Sequence, residues 1–202
     1  MMPDELLKLI FIFCYAVILH EYAHGWVANR LGDQTAKRMG RLTLNPIKHV
    51  DPVGTVFLPV MLFLLHSPVL FGWAKPVPVN FLNLRNPKRD MIWVGIAGPI
   101  VNISLAILFS QLLKLDLSAS DIKVLQTGIV INLVLAVFNM IPVPPLDGSR
   151  LLMGLLPDKM AMQYAKVEKY GMLLVLLLLY AGLFDILVWP LVKFFARFLG
   201  VS

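Results

Sequence analysis

Along the 202 residues, apolar runs long enough to cross a bilayer alternate with short polar stretches. Residues 6–31 form the first run, which, apart from a group of ionisable side chains at its middle, is broken only by Lys8, Asn29 and Arg30. A helix of about 26 residues spans roughly 39 Å at 1.5 Å per residue, more than the ~30 Å hydrocarbon core requires. Gly32 and Asp33 end the run, and residues 34–51 are polar, with 41–46 reading as a short strand that enters a turn at Pro46. Residues 53–73 are apolar again but interrupted by Pro59, His66, Pro68 and Gly72, so the clean part, 60–65, is far too short to cross. In residues 71–80 the alternation Pro76-Val77-Pro78 excludes helix and restricts a strand to a sheet edge. Residues 91–113 and 124–141 are clear spans. Residues 153–169 read as an amphipathic surface segment, and 170–190 as the last span. Phe194, Phe195 and Phe198 with Lys193 and Arg197 then suggest an interfacial helix. The pattern predicts an all-α polytopic membrane protein of about four transmembrane helices, plus a re-entrant segment with short edge strands.

Composition agrees with that class. The chain is 58% hydrophobic and 15% charged, where a soluble domain carries about 25% charged residues. At this length one integrated domain over 1–202 is expected, with its core in 5–160 and a C-terminal span and interfacial helix in 170–199. Asp4 and Glu5 make the opening too acidic for a signal peptide, so the first helix is expected to be retained. A net charge of +6 could point to nucleic acid. Here the basic residues sit between apolar runs and orient the protein in the bilayer instead, so no nucleic-acid partner is expected. Cys14 is the sole cysteine, so no intrachain disulfide can form.

Chemistry enters at the middle of the first run, where His20-Glu21-x-x-His24 gives H-E-x-x-H. On a helix the two imidazoles, four residues apart, leave one face a turn from each other, with Glu21 beside them. That is the spacing of a zinc hydrolase: two imidazole ligands and a carboxylate general base. A helix-packing histidine pair is the bland alternative, but it does not explain a carboxylate at the base position, and ionisable groups at this depth cost about 2–3 kcal/mol each if unpaired. A catalytic zinc needs a third protein ligand. His49 and His66 are the other histidines; His49 with Asp51 reads as a solvated loop pair. Asp147 is the better candidate, since Pro142, Pro144 and Pro145 force the chain out of helix before it and Gly148 lets the backbone turn after it. It could instead cap the segment that follows. Asn102, and Asn132 with Asn139 seven residues apart on one face, are polar groups within spans that need partners.

These motifs, His20-Glu21-x-x-His24, Gly98-x-x-x-Asn102 and Asn139-x-x-Pro142-x-Pro144-Pro145-Leu146-Asp147-Gly148, resemble in kind and order the site-2 protease family of intramembrane zinc metalloproteases, over residues 10–160. The resemblance implies one Zn2+ held by His20, His24 and Asp147, and Glu21 as catalytic base. It also implies cleavage of a peptide bond within or near a transmembrane segment of a substrate protein, in the cell membrane, at a site opening toward the cytosol. Asn139 and Asn102 match family positions that hold substrate or stabilise the oxyanion, although an interhelical hydrogen bond accounts for Asn102 equally well. The rival from another class is a metal-ion transporter using the same His/Asp cluster as a transit site, but no second cluster on the other side supports it.

Parity adds one expectation. For the histidines and Asp147 to meet, the spans that carry them must run the same way, with 91–113 crossing back between them. Residues 53–73 must then enter and leave by one side.

Overall fold

The computed structural model describes residues 3–65, 72 and 74–201. Helix α1, Pro3–Arg30, has Asp4 and Glu5 in its first turn and Arg30 in its last, charges that suit the two ends of the helix dipole. Three short elements follow: α2 (Thr35–Arg38), a 3-10 turn at Pro46–His49, and a π-turn at Pro52–Phe57 that runs into α3 (Leu58–Leu64). Asp51 caps that turn, accepting from the N–H groups of Val53 and Gly54. Helix α4, Pro87–Leu112, begins with proline at its first position, where the missing N–H costs nothing. Helix α5, Ala119–Asn139, is capped by Ser118, whose Oγ accepts from Asp121 N–H at 3.1 Å. Then come α6 (Asp147–Leu155), α7 (Asp158–Ala165), α8 (Gly171–Tyr180) and α9 (Trp189–Phe198).

Three of these helices are long and apolar enough to cross a membrane: residues Asp4–Arg30, Pro87–Leu112 and Ala119–Asn139. They bury little of themselves, leaving Leu7, Phe11 and Phe13 of α1 and Ile100, Ile103 and Leu108 of α4 exposed. In water such a surface would drive aggregation; against lipid tails it is neutral. The expected spans thus exist, each beginning three to five residues earlier than the hydropathy edges suggest, because capping groups and charged first turns extend a helix past its apolar part.

Residue pairings give the directions. Lys8 and Glu5 of α1 meet Asp121 and Ser120 of α5, so these two helices start together and run parallel. Along α4 the order reverses: His20 faces Asn102 and His24 faces Val94. Helix α4 is therefore antiparallel to α1, and the chain between them begins and ends on one side, where Arg85 N–H donates to Leu31 C=O at 3.0 Å. The parity expectation holds for the three long helices. His66 and most of residues 66–73 lie outside the described residues, and with them part of the expected re-entrant segment.

Three expectations are corrected. The last span is not one straight helix: α8 stops at Tyr180, Gly182 adopts φ +85°, and the run Asp158–Tyr180 is bent by 72° from Phe184–Phe198. Helix α9 packs Val192 and Ala196, with Val188 just before it, against Ala106, Ile129 and Leu133 in the main apolar core. No strand occurs among the described residues, either at 41–46 or at 74–80. Residues 75–80 form no regular element, and side chains take several of the backbone bonds there. Arg41 Nη2 donates to Lys75 C=O (2.9 Å) and Pro76 C=O (3.2 Å), and Asp33 Oδ2 accepts from Asn80 N–H (2.7 Å). His49, expected in solvent, is buried, with Nε2 2.8 Å from Thr43 C=O.

Candidate metal centre

The centre lies where α1, α4 and the start of α6 converge. His20 and His24, one turn apart on α1, are both buried, and their Nε2 atoms are 3.1 Å apart. Asp147 reaches them from a loop that the sequence folds tightly after α5. Met140 ends the helix, Val143 N–H donates to Ile141 C=O, Leu146 N–H to Val143 C=O, and α6 begins at Asp147. Gly148 is required there, since a Cβ would overlap the Met140 carbonyl. Leu146 occupies the cap position without a side-chain bond, so the Asp147 carboxylate is not spent on capping. Its Oδ2 sits 3.1 Å from His20 Nε2 and 3.2 Å from His24 Nε2.

Each imidazole is fixed from behind. His24 Nδ1 lies 2.6 Å from the Val94 carbonyl oxygen, an obligate acceptor, so Nδ1 carries the hydrogen and Nε2 presents a lone pair. His20 Nδ1 lies 2.5 Å from Asn102 Oδ1. Acceptors behind both rings leave two imidazole nitrogens and a carboxylate oxygen aimed at one point. Asp147 Oδ2 is buried with no hydrogen-bond partner among the described residues. Buried acceptors do not converge without a proton or cation between them. For zinc, bonds of 2.0–2.1 Å give tetrahedral edges of about 3.3–3.4 Å; the three observed separations, 3.1, 3.1 and 3.2 Å, fit that triangle. Room for it comes from Gly98 on α4, where an added Cβ would lie 2.5–2.6 Å from His24 Nε2 and from His20 Cε1 and Nε2.

Glu21 is held from the other flank. Its Oε2 accepts from Val77 N–H at 2.8 Å, and the chain at Val77 comes this close because Gly25, one turn on, has no side chain. A Cβ there would lie 2.7 Å from Val77 Cγ1. Of the asparagines singled out in the sequence, Asn102 is fully buried against His20, while Asn139 is half-buried and donates to Leu135 C=O of its own helix at 2.9 Å. Three participants were not legible beforehand: the Val94 carbonyl, the Val77 N–H and Gly98 as clearance for the rings; Asn132 was legible only as a polar group needing a partner. The four-residue spacing of Gly98 and Asn102, which puts them on one face, was the available signal for Gly98. A backbone group such as the Val94 carbonyl leaves none.

The family model described as Peptidase family M50 matches residues 116–182. YwhC of Bacillus subtilis is 39% identical over 204 residues, covering 96% of this chain and 87% of that protein. Rip2 of Mycolicibacterium smegmatis is 30% identical over 191 residues, covering 93% and 72%. Both bear provisional zinc metalloprotease names. A third relative, the zinc metalloprotease MJ0392 of Methanocaldococcus jannaschii, is 28% identical over 196 residues, or 94% of this chain and 47% of that one. No solved structure matches the chain.

Proposed function

We propose, since the chain belongs to peptidase family M50, that it is an endopeptidase cutting membrane proteins within or near their transmembrane segments. It is a zinc metalloprotease of the site-2 protease family, embedded in a bilayer by its long apolar helices. The observation that carries the finer reading is the depth of the centre. His20 and His24 lie ten and six residues before the C-terminal end of α1, or roughly 15 and 9 Å inward at 1.5 Å per residue. A peptide bond reaching them must enter the membrane-spanning bundle.

In this reading His20, His24 and Asp147 hold the ion and Glu21 is the base. Zn2+, when bound, supplies a Lewis acid beside which water ionises near neutral pH. Val77 N–H holds Glu21 Oε2, so Oε1 is the oxygen left to take the proton of the attacking water. Glu21 then returns that proton to the amide nitrogen as the C–N bond breaks, and neutral amine leaves. Asn102 and Val94 hold the Nδ1 side of His20 and His24, which keeps both Nε2 atoms facing the ion. The site lies toward the side bearing Lys37, Arg38, Arg41, Lys48, Lys75, Arg85, Lys88 and Arg89, which the positive-inside rule puts in the cytoplasm.

Reconstitution with zinc and a membrane-spanning test substrate checks the reading. Cleavage within or beside the span is expected. Glu21→Gln should keep zinc near wild type while lowering turnover at least a hundredfold, since it removes the base and no ligand. Near-normal turnover in that variant, or cleavage confined to soluble peptides, would overturn the proposal.

A further inference from the structure

The polar chain behind His20 extends one residue further than the metal centre needs. Asn102 Nδ2 donates to Ala16 C=O at 3.2 Å and to Asn132 Oδ1 at 2.9 Å, and Asn132 Nδ2 donates to Gly128 C=O at 2.9 Å. Asn102 and Asn132 are both fully buried, in α4 and α5. A carboxamide has one donor end and one acceptor end, and a carbonyl can only accept. The direction of every bond therefore follows from the two ends of the chain. Gly128 C=O demands the Asn132 amino group, which turns Asn132 Oδ1 toward Asn102. Asn102 must answer with its amino group, which also serves Ala16 C=O, and that turns Oδ1 toward His20. His20 is left with one tautomer, the hydrogen on Nδ1 and the lone pair on Nε2.

We propose that Asn132 is a positioning residue that sets the tautomer and ring orientation of His20 from α5, acting through Asn102. Packing does not require an amide at the site. Asn132 lies among Ile129, Leu133 and Ala136 of its own helix, and a leucine of similar shape would suit the bilayer better than a buried carboxamide. The relay ties α5, which contributes no ligand, to a ligand on α1. It rests on the reading of His20 as a zinc ligand.

Partners behind a metal-binding histidine typically change metal affinity 10–100-fold. Because the longer bond to Ala16 C=O still favours one orientation of Asn102 when Asn132 is removed, without fixing it, the expected loss lies at the low end. The test uses the full-length protein in nanodiscs, with zinc affinity read by chelator competition and His20 ring-nitrogen shifts read by NMR on metal-free, 15N-histidine-labelled protein. Asn132→Leu should bind zinc about tenfold more weakly and show His20 as a mixture of tautomers. Asn132→Asp, as the protonated acid that its buried place selects, donates to Gly128 C=O and keeps an oxygen facing Asn102, so it should stay within about threefold of wild type, with the Nδ1–H tautomer intact. Asn132→Ala replaces the leucine variant if that does not insert. Wild-type affinity and tautomer in the apolar variant, or an equal loss in the aspartate and apolar variants, would overturn the relay. His20→Ala is the control for the parent reading. If it retains zinc, His20 is no ligand; if it loses zinc while the apolar variant does not, the relay alone fails.

Discussion

Replacing Gly98 with alanine would place a methyl group inside the metal centre. The new carbon would lie 2.5–2.6 Å from three imidazole atoms, against about 3.5 Å for unstrained contact, an overlap of roughly 0.9 Å. Neither ring can swing aside freely, because His20 is pinned to Asn102 at 2.5 Å and His24 to Val94 C=O at 2.6 Å. Overpacking of this kind costs about 1–3 kcal/mol, and a broken buried hydrogen bond about 1 more. At 1.4 kcal/mol per factor of ten, zinc affinity should fall by about 25-fold to about 700-fold. The assay is chelator competition on purified protein, with the metal-free melting temperature recorded beside it to separate site crowding from general destabilisation. A Gly98→Ala protein that binds zinc like wild type would refute the reasoning, since it would mean that the rings are not confined where they stand.

Two further outcomes follow from other parts of the fold. Burial pushes the Asp33 carboxyl up, but hydrogen bonds from Thr35 Oγ1, Asn80 N–H, Asn83 Nδ2 and Thr35 N–H outweigh it and hold it below the usual carboxylate range. A depressed folded value contributes stability above the unfolded pKa of about 3.9 and loses it as pH falls through the lowered one. Metal-free wild type should therefore lose melting temperature more steeply below about pH 4 than Asp33→Asn does, and equal slopes would show that this carboxylate is not the group concerned. In a Cys14→Ser background, a membrane-impermeant thiol reagent on intact cells should label a cysteine at Ser118 but not at Asn86 or Gln34; labelling at Asn86 would reverse the proposed orientation.

Much of the metal centre was legible because it depends on side chains with few other uses at that depth. Two histidines and a carboxylate inside an apolar run, and an aspartate after three prolines, stand out against Leu and Ile. The same logic identified α1, α4 and α5, whose length alone separates them from core helices. The broken last span escaped because residues 170–190 are apolar apart from Asp185 and read as one continuous run. Hydropathy reports the environment of Gly182, not its positive φ. The edge strand expected at 71–80 is absent over the described residues 74–80 for a different reason: the prolines do keep the chain out of helix, but Arg41 and Asp33, more than thirty residues earlier, take backbone bonds a neighbouring strand would have made. Asn102 left two readings open in the sequence, and the structure finds its amide committed to His20, Ala16 and Asn132.

The order in which the centre's parts leave the ribosome has a consequence of its own. His24 and Asp147 are separated by about 120 residues, so at 5–20 residues per second Asp147 appears roughly 6–25 seconds after the histidines. For that interval two imidazoles sit in a nascent membrane helix without the carboxylate that completes the candidate centre. Helix α4 arrives midway, bringing the Val94 carbonyl and Asn102. From then on each imidazole is docked through Nδ1 against a protein acceptor, with its Nε2 already turned toward the place where Asp147 will arrive. Asp147 then meets a half-built socket whose shape is already decided, and maturation of the protease reduces to closing one loop.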